Sequence, residues 1–303
     1  MAINVAALKE MLKPGLMKAQ GQYKDVPPEW KDIFTTRVSK MQIERILQTR
    51  LTGMAAVQRE GAAPMADNMS GARWTVTMET AEAGLMYTMT RKAIDDGLYR
   101  TDFQPANLAL NQGMRAFWNT YSANIFNNAA TYDANTGGDG QPLLSTTHPL
   151  DVGTYANTTS TALALNETSL FVAYEMIYNG LLQQSGLKVD ADGETLVVPA
   201  HLEAQARRLQ NAVLRPGTAN NDPNELGNVG GAAKRIKVMR YLTNRFAWFV
   251  TTNQPGLWHL QRSPYEARMW HDDASQNLSV ASYERAGFFC SDSRAVVGFM
   301  ATA

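Results

Sequence analysis

Residues 59–99 read REGAAPMADNMSGARWTVTMETAEAGLMYTMTRKAIDDGLY. The approach to them, from Leu51, is broken by Gly53, Gly61, Pro64 and Gly71 and holds no long apolar run, so it cannot bury a core of its own. The text then alternates. Trp74, Val76 and Met78 are separated by polar residues, and Leu85, Tyr87 and Met89 take up the same spacing after the AEAG turn at 81–84. Successive side chains of a strand face opposite sides, so this period of two predicts two half-buried strands, paired as a protruding two-stranded loop. An ordinary edge hairpin carries the same pattern. A short helix closed by Gly97 follows.

Downstream comes the longest helical pattern. Leu110, Met114, Phe117, Tyr121 and Ile125 step by four, three, four and four residues, one face of a helix over 104–130, with Thr101 or Asp102 as cap and Pro105 in the first turn. Such a helix is about 40 Å long, enough to brace a whole subunit. With Phe117 on its core face, truncation to alanine is expected to cost roughly 3–5 kcal/mol. Residues 127–166 are a polar excursion rich in Thr, Asn, Asp, Gly and Ser, with PLLSTTHPL (142–150) as its one apolar clasp. Thr168 is the expected N-cap of a further helix, with Phe171, Tyr174, Ile177, Tyr178 and Leu181 on one face. The strand ETLVVPA (194–200) runs into a helix at Pro199 carrying Leu202, Ala206, Leu209 and Val213. After a polar loop at 220–233, RIKVMRYL and FAWFVTT read as strands, and the final stretch predicts three more short ones, with turns at 271–274 and 291–293. Helices and strands in this order indicate an α+β fold.

Upstream, the first 50 residues carry a basic excess broken by Pro14, Pro27 and Pro28. They predict an extended arm and then a short helix over 37–49. An arm needs a surface to lie on; a frayed terminus is the alternative. The 303-residue length exceeds a usual single core, so two subdomains or long insertions are expected. The 28 Lys+Arg balance 28 Asp+Glu, which marks no general nucleic-acid binder, and 45% hydrophobic residues suffice for a real core. Only 18% are charged, while 15 Met and 27 aromatics are plentiful, material for a large core or for surface buried on partners. No stretch has the roughly 18 apolar residues of a membrane span, and the start lacks a signal-peptide apolar region, so a soluble protein made inside the cell is expected.

Catalytic signatures are missing. There is no GxxxxGK[ST], GxGxxG or GxSxG. His201-Leu202-Glu203 matches part of a zinc-deaminase signature whose paired cysteines cannot exist, because Cys290 is the only cysteine. That also excludes an internal disulfide and multi-cysteine metal sites. Cys290 with His271 and Asp272 or Asp273 is the one thiol constellation available, but GFFC around it is apolar and favours an inert buried thiol. His148 and His259 have no second ligand at metal spacing. Neither a catalytic residue, a cofactor nor a metal is expected, and the chain reads as no enzyme. Arg207, Arg208, Arg215, Lys234, Arg235, Lys237, Arg240 and Arg245 make 201–245 basic, suited to acidic patches of a neighbouring copy or to phosphate.

The order of basic arm, glycine-broken loop, short acidic helix, long helix, polar excursion, α+β unit and returning strands resembles the major capsid protein of tailed bacteriophages, the Hong Kong phage capsid fold, and in particular Mu-like head subunits. Residues 59–99 are similar to that family's extended loop and following helix, PLLSTTHPL to the segment after the spine helix, and ETLVVPAHLEAQARRL to the opening of the axial domain; NRFAWFVTT and the strands after it are similar to its return path. The likeness covers roughly residues 60–299.

The resemblance implies an N-terminal arm (1–50), an extended loop (51–90), a peripheral domain with spine helix (91–165), an axial domain (166–255) and return strands of the peripheral domain (256–303). It implies a structural subunit of an icosahedral head, in hexamers and pentamers around packaged double-stranded DNA that is contacted weakly and without sequence preference. Its partners would be many copies of itself, a separate scaffolding protein, a portal and a decoration protein, with no membrane; its place would be the virion, after synthesis in the host cytoplasm. Inter-subunit contacts are expected at Arg37, Arg59, Glu60, Arg73 and Trp74. Some relatives crosslink their shell through a loop lysine, but no lysine lies between Lys40 and Lys92, so no such crosslink is expected. The rivals are an encapsulin-type nanocompartment shell, a thiol hydrolase using Cys290, and a DNA-binding module using 201–245.

Overall fold

Alternation along the last third of the chain builds its longest hairpin. The computed structural model describes residues 5–49, 55, 57–61, 63, 72–212, 224, 226 and 233–301. Strands β10 (Leu257–His271) and β11 (Leu278–Cys290) pair antiparallel, with register shifts between Gln261 and Ser263 and between Ser263 and Glu266. Tyr265, Ala267 and Met269 point into a core while Glu266, Arg268 and Trp270 point out, the period of two expected of a sheet with one wet face. Strand β1 (Thr35–Val38) adds parallel to β10 and β4 (Ala81–Met89) antiparallel to β11, giving the order β1-β10-β11-β4.

The second sheet, β12-β9-β7-β8, is a wall between two cores. It comprises β7 (Gly193–Val198), β8 (Arg235–Val238), β9 (Ala247–Thr252) and β12 (Val296–Met300). Val197, Phe249 and Val296 face one core. Leu196, Val198, Trp248, Val250, Val297 and Phe299 face the other. Covered on both sides, β9 is buried at every position, which is why AWFVTT reads as a nearly continuous apolar run. A single sheet thus serves both halves of a chain too long for one core.

The helices fill the two sides. Helix α3 (Tyr99–Asn127) has 29 residues, so it runs about 44 Å. It starts a turn earlier than expected: Leu98 is the N-cap without a side-chain bond, and the Thr101 hydroxyl donates to the Leu98 carbonyl instead of capping. Its buried line is Phe103, Leu110, Met114, Trp118, Ile125 and Phe126, whereas Phe117 stays 42% exposed. The expected core role of Phe117 belongs to Trp118, one residue on. Ahead of α3, α2 (Arg91–Asp95) is capped by Thr90. The polar excursion holds a small pair, β5 (His148–Pro149) with β6 (Thr154–Tyr155). In the second core, α4 (Glu167–Glu175) is capped by a reciprocal Asn166–Ser169 box, not by Thr168, and ends in a π turn at Met176–Gly180. A 3-10 turn (Ala200–Leu202) leads from β7 into α5 (Glu203–Asn211), burying Leu202, Ala206 and Leu209; Val213 lies outside the described residues.

Four expectations change. The N-terminal segment is no extended arm through 5–25: it forms helix α1 (Val5–Asp25) across Pro14, because Leu12, Leu16, Ala19 and Tyr23 make a helical stripe that packs on the first core. The helix expected over 37–49 is instead β1 and β2 (Ile43–Thr49), where Ile46 turns inward between the exposed Ile43 and Leu47. The two strands of 72–89 do not pair with each other. Strand β3 (Ala72–Glu79) pairs antiparallel with β2, and only Thr80 separates it from β4, too little chain for a hairpin reversal. The final strands β10 and β11 are also long rather than short. Among the described residues no helix is long and apolar enough to cross a membrane.

Candidate inter-subunit surfaces

The β2–β3 ribbon owes its place to its inner face, where Ile46, Val76 and Met78 pack against Leu260, Phe289 and Trp258. Its root is clasped from two sides. The Gln48 side-chain amide donates to the Ser291 carbonyl. On the other side, Gly138 sits at φ +70°, where a Cβ would lie 2.8 Å from Val76 Cγ2 and 3.3 Å from the Thr75 carbonyl oxygen. Only glycine fits there. Among the described residues the outer face of the ribbon has no such cover: Ile43 and Leu47 are exposed, and Val38 and Met41 at its base are 71% and 68% exposed. Apolar side chains gathered on one free face mark a surface for a partner.

Of the expected contact residues, Arg37 lies exposed on β1, 3.9 Å from Glu44 at the ribbon base. Trp74 is half-buried on β3 opposite Gln48. Arg59 and Glu60 are exposed beyond the ribbon, and the Arg73 side chain, like most of 50–71, lies outside the described residues. A second free surface, not anticipated, is the outer face of the first sheet. Registers align Glu266, Tyr283 and Gly84 across it, then Arg268, Ala281 and Met86, then Trp270, Ser279 and Thr88. Met86, Tyr283 and Trp270 stand exposed there. The available signal was an aromatic on the solvent phase of each long strand.

No chemistry assembles around the thiol. Cys290 is fully buried, and burial pushes its thiol up, away from the reactive thiolate. His271 sits at the opposite end of the hairpin, paired with Leu278 while Cys290 pairs with Leu257. Thirteen residues of β11 separate the two ends, roughly 40 Å. His201 contacts Phe246 and Arg245, and among the described residues no group of acidic, His or Cys side chains is placed to hold a metal. Four of the eight basic residues of 201–245 are paired within their own chain: Arg207 meets Glu203 at 2.9 Å, Arg235 meets Glu194 at 2.5 Å, Lys237 meets Asp32 at 2.6 Å and Arg240 meets Glu29 at 3.5 Å. Lys237 holds the Asp32 carboxyl below its ordinary range. Arg215 lies outside the described residues.

His148 is not isolated either. Its Nδ1 lies 2.7 Å from Asp139 Oδ2, and its Nε2 lies 3.2 Å from Asn157 Oδ1. The Asn157 amide nitrogen donates to the carbonyls of Leu143, Ser293 and Val296, tying the polar excursion to the turn between β11 and β12. This buried network fixes the Gly137–Gly140 loop, and so the clasp on the ribbon root. Sequence spacing gave no sign of it, because its members come from 139–157 and 292–296.

A family model described as "Phage capsid protein" matches residues 75–298, a span that includes both sheets' central strands. Among solved structures the chain is similar to the virus-like particle from Pyrococcus furiosus, with a TM-score of 0.55 at 9% identity over 96% of this chain and 98% of that one. It is similar to the mature capsid of bacteriophage PhiM1, with a TM-score of 0.55 at 11% identity over 90% and 86%. It is also similar to the procapsid of satellite phage P4 with its size determination protein Sid, at a TM-score of 0.50 and 11% identity over 93% and 89%. At these identities the likeness is one of fold. No curated protein sequence matches the chain.

Proposed function

This chain belongs to the phage capsid protein family, and on that premise we propose that it is the major shell subunit of an icosahedral head, arranged in hexamers and pentamers around double-stranded DNA. The family match over 75–298 carries the reading. The free faces support it: a ribbon with Ile43 and Leu47 outward, and a sheet face with Met86, Tyr283 and Trp270 outward, gain burial only on other copies. The proposal keeps the division into arm, extended loop, peripheral domain, axial domain and return strands, and places subunit contacts at Arg37, Arg59, Glu60, Arg73 and Trp74. A separate scaffolding protein, a portal, a decoration protein and synthesis in the host cytoplasm belong to the same reading. With no net charge, the shell neither grips packaged DNA nor repels its own copies.

Negative-stain microscopy of the purified protein tests the reading. Polyhedra, hexamers or tubes are expected, and a strict monomer at high concentration would overturn it. A protein-filled nanocompartment is the reading the family match disfavours; shells carrying protein cargo, from a locus without portal or packaging genes, would reinstate it.

A further inference from the structure

Helix α1 covers a part of the first core where buried polar side chains lie among apolar ones. Beneath it lie Asn111, Ser282 and Glu284, all buried. Beside its apolar stripe, the helix is held by a set of hydrogen bonds: Asn111 donates to the Ala19 carbonyl at 2.8 Å, Arg115 to the Tyr23 carbonyl at 3.0 Å, Gln20 to the Ala267 carbonyl at 2.8 Å, and the Tyr23 hydroxyl to Glu284 Oε2 at 2.9 Å. Tyr23 also stacks on Tyr265 at 3.9 Å, and the Tyr265 hydroxyl donates to Asn111. Every one of these groups can take water if the helix lifts, so the main cost of release is uncovering Leu12, Leu16, Ala19 and the Tyr23 ring. The chain is anchored afresh immediately beyond, where Trp30 packs 4.0 Å from His259 and Phe34 is buried, so Val26–Pro28 is free to act as the hinge.

We propose that α1 is a releasable strap latched over the buried Glu284 carboxyl, and that ionising this carboxyl lets the strap go. The groups facing Glu284 are Tyr23 from α1, Tyr265 from β10, and Trp118 from α3, with Ala83 of β4 beside it in register. None is a cation, and among the described residues Glu284 makes no ion pair. Arg115, the nearest charge on α3, is turned to Tyr23, 5.4 Å from its ring centre. Burial accordingly raises the Glu284 carboxyl above its ordinary range, outweighing the hydrogen bond from Tyr23. Once α1 lifts, water returns the carboxyl to its ordinary range. The strapped state therefore binds the extra proton: closure is fully supported below about pH 4.3 and weakens as pH rises through the raised value.

Amide hydrogen exchange on the full-length subunit from pH 4 to 8 tests this, with exchange corrected for its intrinsic pH dependence. Protection of α1 is expected to fall by about tenfold per pH unit across the window in which Glu284 ionises, while β9 stays protected. Glu284→Gln, neutral at every pH, should remove that slope and keep α1 protected. Tyr23→Phe, which deletes the hydroxyl donor and keeps the ring, should shift release to lower pH. A flat wild-type profile, an unchanged slope in Glu284→Gln, or an unmoved release in Tyr23→Phe would overturn the proposal.

Discussion

At the scale of single residues, neighbours in sequence divide sharply by burial. Trp118 is 3% exposed and packs beside Tyr121 and Phe288, while Phe117 projects from the same helix at 42%. Trp118→Ala is expected to cost roughly 3–5 kcal/mol and Phe117→Ala about 1 kcal/mol or less, read from urea midpoints of the two variants. Gly138→Ala should cost about 2 kcal/mol or more, since it combines a left-handed backbone with a clash on Val76, and protease cleavage of the ribbon should rise with it. His259 sets an acid limit. Buried under Trp30 and against Phe288, its imidazole is pushed down to about 4 by desolvation. Above its unfolded value of about 6.5 neither state is protonated; as pH falls toward 4, only the unfolded state takes the proton. Stability should therefore drop by about 3 kcal/mol between pH 6.5 and 4. His259→Gln isolates the effect: the difference between its melting curve and the wild type's should vanish in slope above pH 7 and grow below it.

At the scale of elements, the ribbon is the piece whose two faces have opposite tasks. Its inner face is already satisfied by Leu260 and Phe289, so charge placed on the outer face leaves the fold intact. Ile43→Asp with Leu47→Asp should change the subunit's melting by less than about 1 kcal/mol yet abolish higher assemblies in sedimentation. Normal assembly by this variant would remove the ribbon from the contact. Most elements were legible in local spacing: β7, β9, the core stripe of α5 and the long α3 follow from periods of two or of 3.6. The failures share a cause. Pro14 disguised α1, whose stripe stabilises it only against β10 and α3, and β2 had the ambiguous short pattern that a partner strand resolves. The exposed apolar faces were only partly legible, because a free apolar face is visible in sequence only once the strand's inward phase is known.

At the scale of the whole molecule, the lack of lysine between Lys40 and Lys92 predicts a shell without covalent joints through that loop. Boiling assembled shells in detergent should release a single band near 33 kDa; a ladder of multimers would contradict the lysine-free loop. Expression of the chain alone should give irregular particles, and uniform shells of one size would show that no separate scaffold is needed. The sequence by itself determined the α+β class, the family resemblance, the isolation of the one thiol, and the identity of the strands in the central wall. These rest on composition and on periodicity, which record how each side chain meets water. Only the tertiary structure decided that β3 joins β2 and not β4, that Trp118 rather than Phe117 enters the core, that His148 closes a buried network with Asp139 and Asn157, and that α1 straps a buried carboxyl. Each of these joins residues far apart in the chain, and a period states that a face is buried without stating which distant element buries it.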